Sequence, residues 1–431
     1  MCLPPIPKPK HMKYVLGLAF ANYLTEKSGM PKAVMADQQT INAVGVSYVY
    51  LFSVKKTLGR DDRMLFCEFG LIVDGSYLGI YSLPQVLGAM ATWSRSGEEL
   101  LEVHVHHLLY VDLKKVDELL AATDGVRVRV YLHDYYLCCA TSYNLQRDGD
   151  FCGAARLGDA PCEGCPYHRE SARIEGRVWR LLERYRDRVS FIAPSEDVKR
   201  RFSSFHPDCG SGIEVVSHQK PVGRYLGNRE PIGPDDPIRI AYLGMPKHIK
   251  GWGTWTRVHE ALSGRGYVFY VFNSVDEEYE GMTHVRVAFD AEHPNAMVDA
   301  LRRNRVSQAM LYSTCPETYS YTCMEAWAAN AFILTSVGSG NVRDFVSSAG
   351  CGLAFGNEGE LLGFLEDRNH VIETINNYRQ RSRAPETLAE NDQVALELPS
   401  GGTLVQAGRK MHAWPIEGAI ASVLNRLAGR S

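Results

Sequence analysis

Pro316-Glu317-Thr318-Tyr319-Ser320-Tyr321-Thr322-Cys323-Met324-Glu325-Ala326-Trp327, followed by Ala331-Phe332-Ile333-Leu334-Thr335-Ser336, is the stretch on which the fold turns. Residues 309–313 form an apolar run of strand length, 320–330 has helical character, and 332–335 suits a second buried strand. A strand, helix, strand unit of this kind belongs to a parallel sheet. Glu317 then falls in the loop leaving the carboxyl end of the first strand, and Glu325 about two turns along the helix, so both can reach one crevice. The backbone N–H groups of Tyr319, Ser320 and Tyr321 open the helix, where the dipole and unpaired donors favour an anion such as phosphate. The plainer alternative is that Glu317 caps the helix and Glu325 is a solvated helix position.

Outward from this unit, 431 residues are too many for one ordinary core and predict two domains of about 200 residues each. With 47 basic against 50 acidic residues, no global field points to nucleic acid or to a bare anionic surface. No apolar run approaches the roughly 18 to 20 residues that span a bilayer. The opening 1–11 segment has four prolines and no apolar stretch of the kind a secretory signal needs. Eleven unevenly spread cysteines argue for a reducing compartment, hence the cytoplasm, rather than a disulfide scaffold.

In the amino-terminal half, 14–20 and 46–54 read as strands, with a breaker-rich loop over 25–32. Glycines interrupt 67–97, which gives no clear reading. Residues 101–109 alternate like a strand and put His104 and His106 on one face, a geometry able to bind metal. With no further ligand apparent nearby, a buried, hydrogen-bonded role is the favoured one. Residues 126–132 form the clearest strand of this half, and His133 and Asp134 follow its carboxyl end, where open α/β sheets bind ligands; a packed His and a capping Asp are the alternative. Cys139, Cys152, Cys162 and Cys165 then offer four thiols, the last two in a two-residue knuckle suited to a structural zinc. Free buried thiols or a redox pair are the competing readings. The arginine-rich helix over 173–188 presents an apolar core stripe and a basic face, either simply solvated or resting peripherally on an anionic membrane.

Composition shifts to Gly, Pro, Asn and Asp over 218–237, the best domain boundary. Residues 1–217 would be one Rossmann-like domain carrying the cysteine-rich insertion at about 135–167, and 238–413 a second. An amphipathic helix within 414–431 would return toward the first. In the second domain, 238–243 is a buried strand, and Gly244-Met245-Pro246-Lys247-His248-Ile249-Lys250-Gly251 is the loop after it. Glycines there permit close backbone approach, and Lys247 and Lys250 can neutralise diphosphate charge. Gly338 lies in a similar strand-to-helix turn, with Ser339 or Asn341 as an ordinary cap in the alternative reading.

The paired-glutamate stretch resembles that of the retaining, GT-B glycosyltransferases of family 4, whose members often carry Pro-Glu-Thr-Tyr/Phe-Ser-Tyr-Thr followed by Glu-Ala. The resemblance implies an α/β fold of two Rossmann-like domains facing a cleft. It also implies transfer of a sugar from a nucleotide-sugar donor to a bacterial polysaccharide or lipid-linked glycan acceptor. Glu317 would lie beside the donor sugar, Glu325 would bind the ribose, and Lys250 would take the lysine position of the phosphate loop. Met245 stands where arginine is usual, with Lys247 as a substitute cation. His133-Asp134-Tyr135-Tyr136 is similar to a signature in which this His approaches the donor sugar, and the following cysteines are similar to a zinc-ligand run in related polysaccharide transferases. The family's early loop faces donor and acceptor, with Gly29 either a close-approach glycine or part of a plain turn. No Asp-x-Asp motif falls at a site, so no catalytic metal is expected. A catalytically inactive scaffold of the same fold is the alternative reading.

Overall fold

The computed structural model describes residues 5–26, 28–54, 69–141, 151–153, 159–225, 230–288 and 293–399. Its first sheet is built from β1 (Lys13–Ala19), β2 (Ser47–Ser53), β3 (Phe69–Val73), β4 (Ser76–Tyr81), β5 (Glu99–Val105), β6 (Arg127–Tyr131), β7 (Val189–Ala193) and β8 (Ile213–Val215), in the order β4-β3-β2-β1-β5-β6-β7-β8. All neighbours are parallel except in the β2, β3, β4 meander. That meander resolves the stretch whose glycines obscured it. Gly70, for example, faces the Phe52 ring across the pair and leaves no room for a Cβ.

Alternation along the strands splits this sheet into two unlike faces. Leu16, Leu18, Val49, Leu51, Val103, Val105, Val128 and Val130 enter one apolar core, under the helices Leu83–Arg95, Leu113–Ala122 and His168–Arg184. The other face carries Tyr48, Tyr50, Glu102, His104, His106, Arg129 and Tyr131, all buried. Helix Gly29–Ala43 covers this face through Val34 and Ile41, joined by Ala395 and Leu398 from the far end of the described chain. A sheet face this polar survives burial only because its groups pair with one another.

The second sheet comprises β10 (Ile238–Leu243), β11 (Tyr267–Asn273), β12 (Thr283–Arg286), β13 (Gln308–Leu311), β14 (Phe332–Ser336) and β15 (Gly352–Phe355), in the order β12-β11-β10-β13-β14-β15 and parallel throughout. This is a doubly wound order whose switch point falls between β10 and β13, so the loops at 244–251 and 312–320 flank the crevice at the strands' carboxyl ends. The expected unit around 309–335 is present as β13, helix Tyr321–Ala328 and β14, with Ser320 as N-cap.

Two expected loops are regular structure. Residues 25–32 are not all loop, because a helix starts at Gly29: Ser28 is the extended N-cap residue and Pro31 lies in the first turn, where its missing N–H leaves no bond unmade. Gly29 has no positive φ, and no protein atom lies within 4 Å of a Cβ built on it. Part of the presumed linker is β9 (Gln219–Tyr225), which pairs antiparallel with β16 (Pro385–Glu390). Beyond β16 the short helix Gln393–Leu396 packs on helix Gly29–Ala43, returning the chain to the first domain. The helix expected within 414–431 lies outside the described residues. Among the described residues, no helix is long and apolar enough to cross a membrane.

Gly251, which joins the 244–251 loop to helix Trp252–Leu262, has φ 78°, and a Cβ there would stand 2.1 Å from the Tyr312 carbonyl oxygen. Gly251→Ala should therefore destabilise by about 2 kcal/mol or more through left-handed strain and a backbone clash. Gly253→Ala, inside the helix and 3.4 Å from Arg257 Nη1, should be neutral or stabilising by up to about 1 kcal/mol. Thermal unfolding of the two variants beside the parent checks the contrast.

Candidate functional site

The two sheets meet at their carboxyl ends. Thr318, in the loop after β13, donates its hydroxyl to the backbone carbonyl of His133, just past β6, at 2.6 Å. The Thr318 carbonyl accepts from the Ser195 hydroxyl, just past β7, at 2.9 Å. A second seam joins Arg200 to Asp344 at 2.8 Å.

Glu317 sits in this crevice. Its Oε2 pairs with Lys250 Nζ at 2.6 Å, and its Oε1 accepts from the Ser313 hydroxyl. The backbone is equally fixed: Glu317 N–H donates to the Ser339 carbonyl at 3.1 Å, and Asn341 N–H donates to the Glu317 carbonyl at 3.0 Å. Gly340, bridged to Glu317, makes this possible, since its φ is 62° and a Cβ would stand 2.8 Å from Pro316 Cβ. The 338–341 turn thus holds Glu317 through Ser339 and Gly340, the neighbours of the expected Gly338.

Glu325 is not a solvated helix position. It is 2% exposed, its Oε1 lies 3.5 Å from Lys32 Nζ of the first domain, and its buried Oε2 has no hydrogen-bond partner. Burial pushes its pKa up while Lys32 pulls it down. The same ammonium lies 4.0 Å over the Tyr321 ring, which stacks on His218. Tyr319 accepts from the Gln219 N–H at 3.1 Å and packs edge-on to His218. Ser320 Oγ caps the helix by accepting from Cys323 N–H at 3.3 Å. The helix N-terminus is therefore a built surface of two tyrosines and a histidine, in addition to its free backbone donors.

Gly244 has φ 100°, Lys247 is exposed and Lys250 half-buried, so two cations and the loop backbone face the crevice end of β10. Met245 is 39% exposed beside them. In the first domain, His133 Nε2 lies 3.1 Å from His106 Nδ1; burial and the neighbouring imidazoles of His106 and His218 hold its pKa well below the ordinary range. Asp134 is committed structurally: Oδ2 takes His107 Nε2 at 2.9 Å and Oδ1 accepts Tyr136 N–H at 2.8 Å.

Among the described residues, no three of Cys139, Cys152, Cys162 and Cys165 bring their sulfurs within 4.8 Å of one another. Cys162 Sγ faces His168 Nδ1 at 3.5 Å, while Cys139 Sγ faces the Thr141 hydroxyl at 3.2 Å. Residues 142–150 and 154–158 of the insertion lie outside the described residues.

Sequence reasoning missed Lys32, Thr318, His218 and Glu390. Lys32 was hidden by Gly29 and Pro31, and His218 by the polar composition of the linker. Glu390, at the end of β16, has a buried Oε2 without a hydrogen-bond partner.

Comparison with solved structures supports the architecture. Sucrose-phosphate synthase from Thermosynechococcus elongatus superposes with a TM-score of 0.55 at 11% identity, over 97% of this chain and 100% of that one. HepE from Anabaena, solved with UDP-glucose, gives 0.49 at 13% identity over 86% and 95%. A glycosyltransferase from Rickettsia africae gives 0.49 at 10% identity over 86% and 92%. At 11% identity the likeness to sucrose-phosphate synthase is one of fold, and the fold is GT-B, two Rossmann-like domains facing one crevice. No family model and no curated protein matches the chain.

Burial raises the Glu390 pKa to about 7, with Lys32 opposing and Glu325 and Asp37 adding to the rise. Between the unfolded value of about 4.3 and 7 the folded state holds more protons than the unfolded one, so on this group's account stability falls as pH rises through that window. Glu390→Gln should flatten the fall and gain about 1 to 3 kcal/mol on the parent at pH 8, with little gain at pH 4. Urea unfolding at both pH values checks this.

Proposed function

We propose that this protein is a glycosyltransferase that moves a sugar from a nucleotide-sugar donor to a glycan or lipid-linked acceptor, with retention of anomeric configuration. The carrying observation is the pair of differently prepared carboxylates at one crevice: Glu317 held by Lys250 and Ser313, and Glu325 buried with one oxygen unpartnered. An unpartnered buried acceptor is expensive unless a ligand donates to it, and a ribose hydroxyl is a donor of that kind. In this reading Lys250 leaves its tight pair with Glu317 to be shared with the diphosphate, joined by Lys247 and the Gly244 backbone. Charge developing on the departing diphosphate is then met by fixed cations and helix-start N–H groups. Glu317, released from full neutralisation, faces positive charge developing at the anomeric carbon. His133 approaches the sugar from the other domain, and Tyr319, Ser320 and Tyr321 line the ribose and phosphate side. Asp134, with both oxygens engaged, positions the His133 loop. Nothing in this scheme requires a catalytic metal. The acceptor would meet the first domain, whose arginine-rich helix His168–Arg184 could rest on the inner face of a membrane.

A second reading, a GT-B scaffold that binds a nucleotide sugar without transferring it, is favoured by exposed Met245, which leaves the phosphate loop without an arginine.

Thermal shift against a panel of nucleoside diphosphates and their sugars tests the donor site. One nucleotide at 100 times its dissociation constant should add about 2.7 kcal/mol of stability, and a folded Glu325→Gln variant should lose most of that gain. With that nucleotide sugar, Glu317→Gln should bind but turn over about 100-fold or more slower. Absence of any nucleotide-dependent shift in the folded parent would refute the reading, and binding without turnover would favour the scaffold.

A further inference from the structure

The polar face of the first sheet holds a second constellation, one the proposed transfer does not use. His104 on β5 and His106, just past its carboxyl end, are fully buried and point beneath helix Gly29–Ala43, which brings in Asp37. One ligand atom from each of Asp37, His104 and His106 lies within 4.8 Å of the other two, and His106 Nε2 stands 3.8 Å from Asp37 Oδ2. This supplies the third ligand that the sequence around His104 lacks.

The hydrogen bonds orient the lone pairs inward. Glu102 Oε2, anchored by Arg129 Nε at 2.7 Å, lies 3.1 Å from His104 Nε2 and so takes the proton on that nitrogen, leaving the His104 Nδ1 lone pair turned inward. A carboxylate behind a histidine is the usual support of a metal ligand. His106 Nδ1 faces His133 Nε2 at 3.1 Å, which leaves Nε2 on the Asp37 side. The Tyr131 hydroxyl lies 3.2 Å from His104 Nδ1 and the Tyr48 hydroxyl 2.7 Å from His106 Nε2. The Tyr131 hydroxyl lies between His104 and the Asp37 carboxylate, with which it also hydrogen-bonds, and Asp37 Oδ2 has no other hydrogen-bond partner.

We propose that Asp37 Oδ2, His104 Nδ1 and His106 Nε2 form a binding site for one divalent first-row transition-metal ion, with the Tyr48 and Tyr131 oxygens at its edge. Imidazole and carboxylate donors suit zinc, iron(II) or cobalt(II) better than calcium or magnesium. The ion would fasten helix Gly29–Ala43 to β5. That helix also carries Lys32, the cross-domain partner of Glu325, and the bound His106 would hold its Nδ1–H toward His133. The role is positional, and it stands independently of glycosyl transfer.

The test is titration of the chelator-treated full chain with Co2+ and with Zn2+. One equivalent of Co2+ should bind and give d–d absorption without a thiolate-to-cobalt charge-transfer band, and Zn2+ should raise the unfolding midpoint. Asp37→Asn and His104→Gln, each folded by circular dichroism, should weaken binding by about 100-fold or more, whereas a Cys162→Ser/Cys165→Ser variant should bind as the parent does. No bound equivalent in the parent would overturn the proposal, showing the cluster to be a hydrogen-bonded network only. So would binding that carries the thiolate band and survives Asp37→Asn.

Discussion

A carboxylate taken out of water must be met by charge or by hydrogen bonds, and Glu325 is met by one ammonium that belongs to the other domain. This constraint organises the crevice. Lys32 can reach Glu325 only because helix Gly29–Ala43 begins immediately after Ser28, at the mouth of the first sheet. The ammonium over Tyr321 and the His218 ring beneath it form a packed wall rather than an open floor. The pairing leaves one Glu325 oxygen without a partner, so the seam between the domains is under-satisfied at the point where a ligand's hydroxyl groups would enter. A buried ion pair of this kind is weak evidence for stability, because desolvation offsets much of its attraction. Its significance lies in how it orients the two side chains across the crevice.

The first sheet faces a related problem. Its face under helix Gly29–Ala43 is lined by tyrosine, histidine, glutamate and arginine, and each meets a neighbour across the strands. Arg129 is fully buried yet touches Glu102, Glu214 and Glu397. Glu397 belongs to the segment returning from the second domain, so this buried guanidinium also ties the chain's return to the sheet it left. The face thereby couples three things: the position of Lys32, the orientation of His133 and the docking of the 393–398 segment.

Much of the second domain was legible in the sequence because its central strands β10, β13 and β14 are buried on both faces and read as short apolar runs. β13, β14 and the loop carrying Lys250 all follow from that pattern, whereas the cap at Ser320 does not. The first domain was less legible for identifiable reasons. Its polar sheet face breaks the apolar run, its β3 and β4 hairpin is crowded with glycines, and helix Gly29–Ala43 starts with residues that elsewhere mark loops. Glu317 and Glu325 could be nominated from spacing, but their partners could not. Lys250, Lys32 and Thr318 act through contacts that depend on how the two sheets face each other. Asp37 joins His104 for the same reason.

The central claim is that the crevice between the sheets, and not another surface, receives a nucleotide sugar. Hydrogen exchange of the full chain with and without a saturating nucleotide sugar tests it most directly. The account predicts new protection concentrated at 244–251, 313–325 and 338–341, with a smaller effect at 28–37 through Lys32. Protection confined to other segments, with these four unchanged, would contradict it.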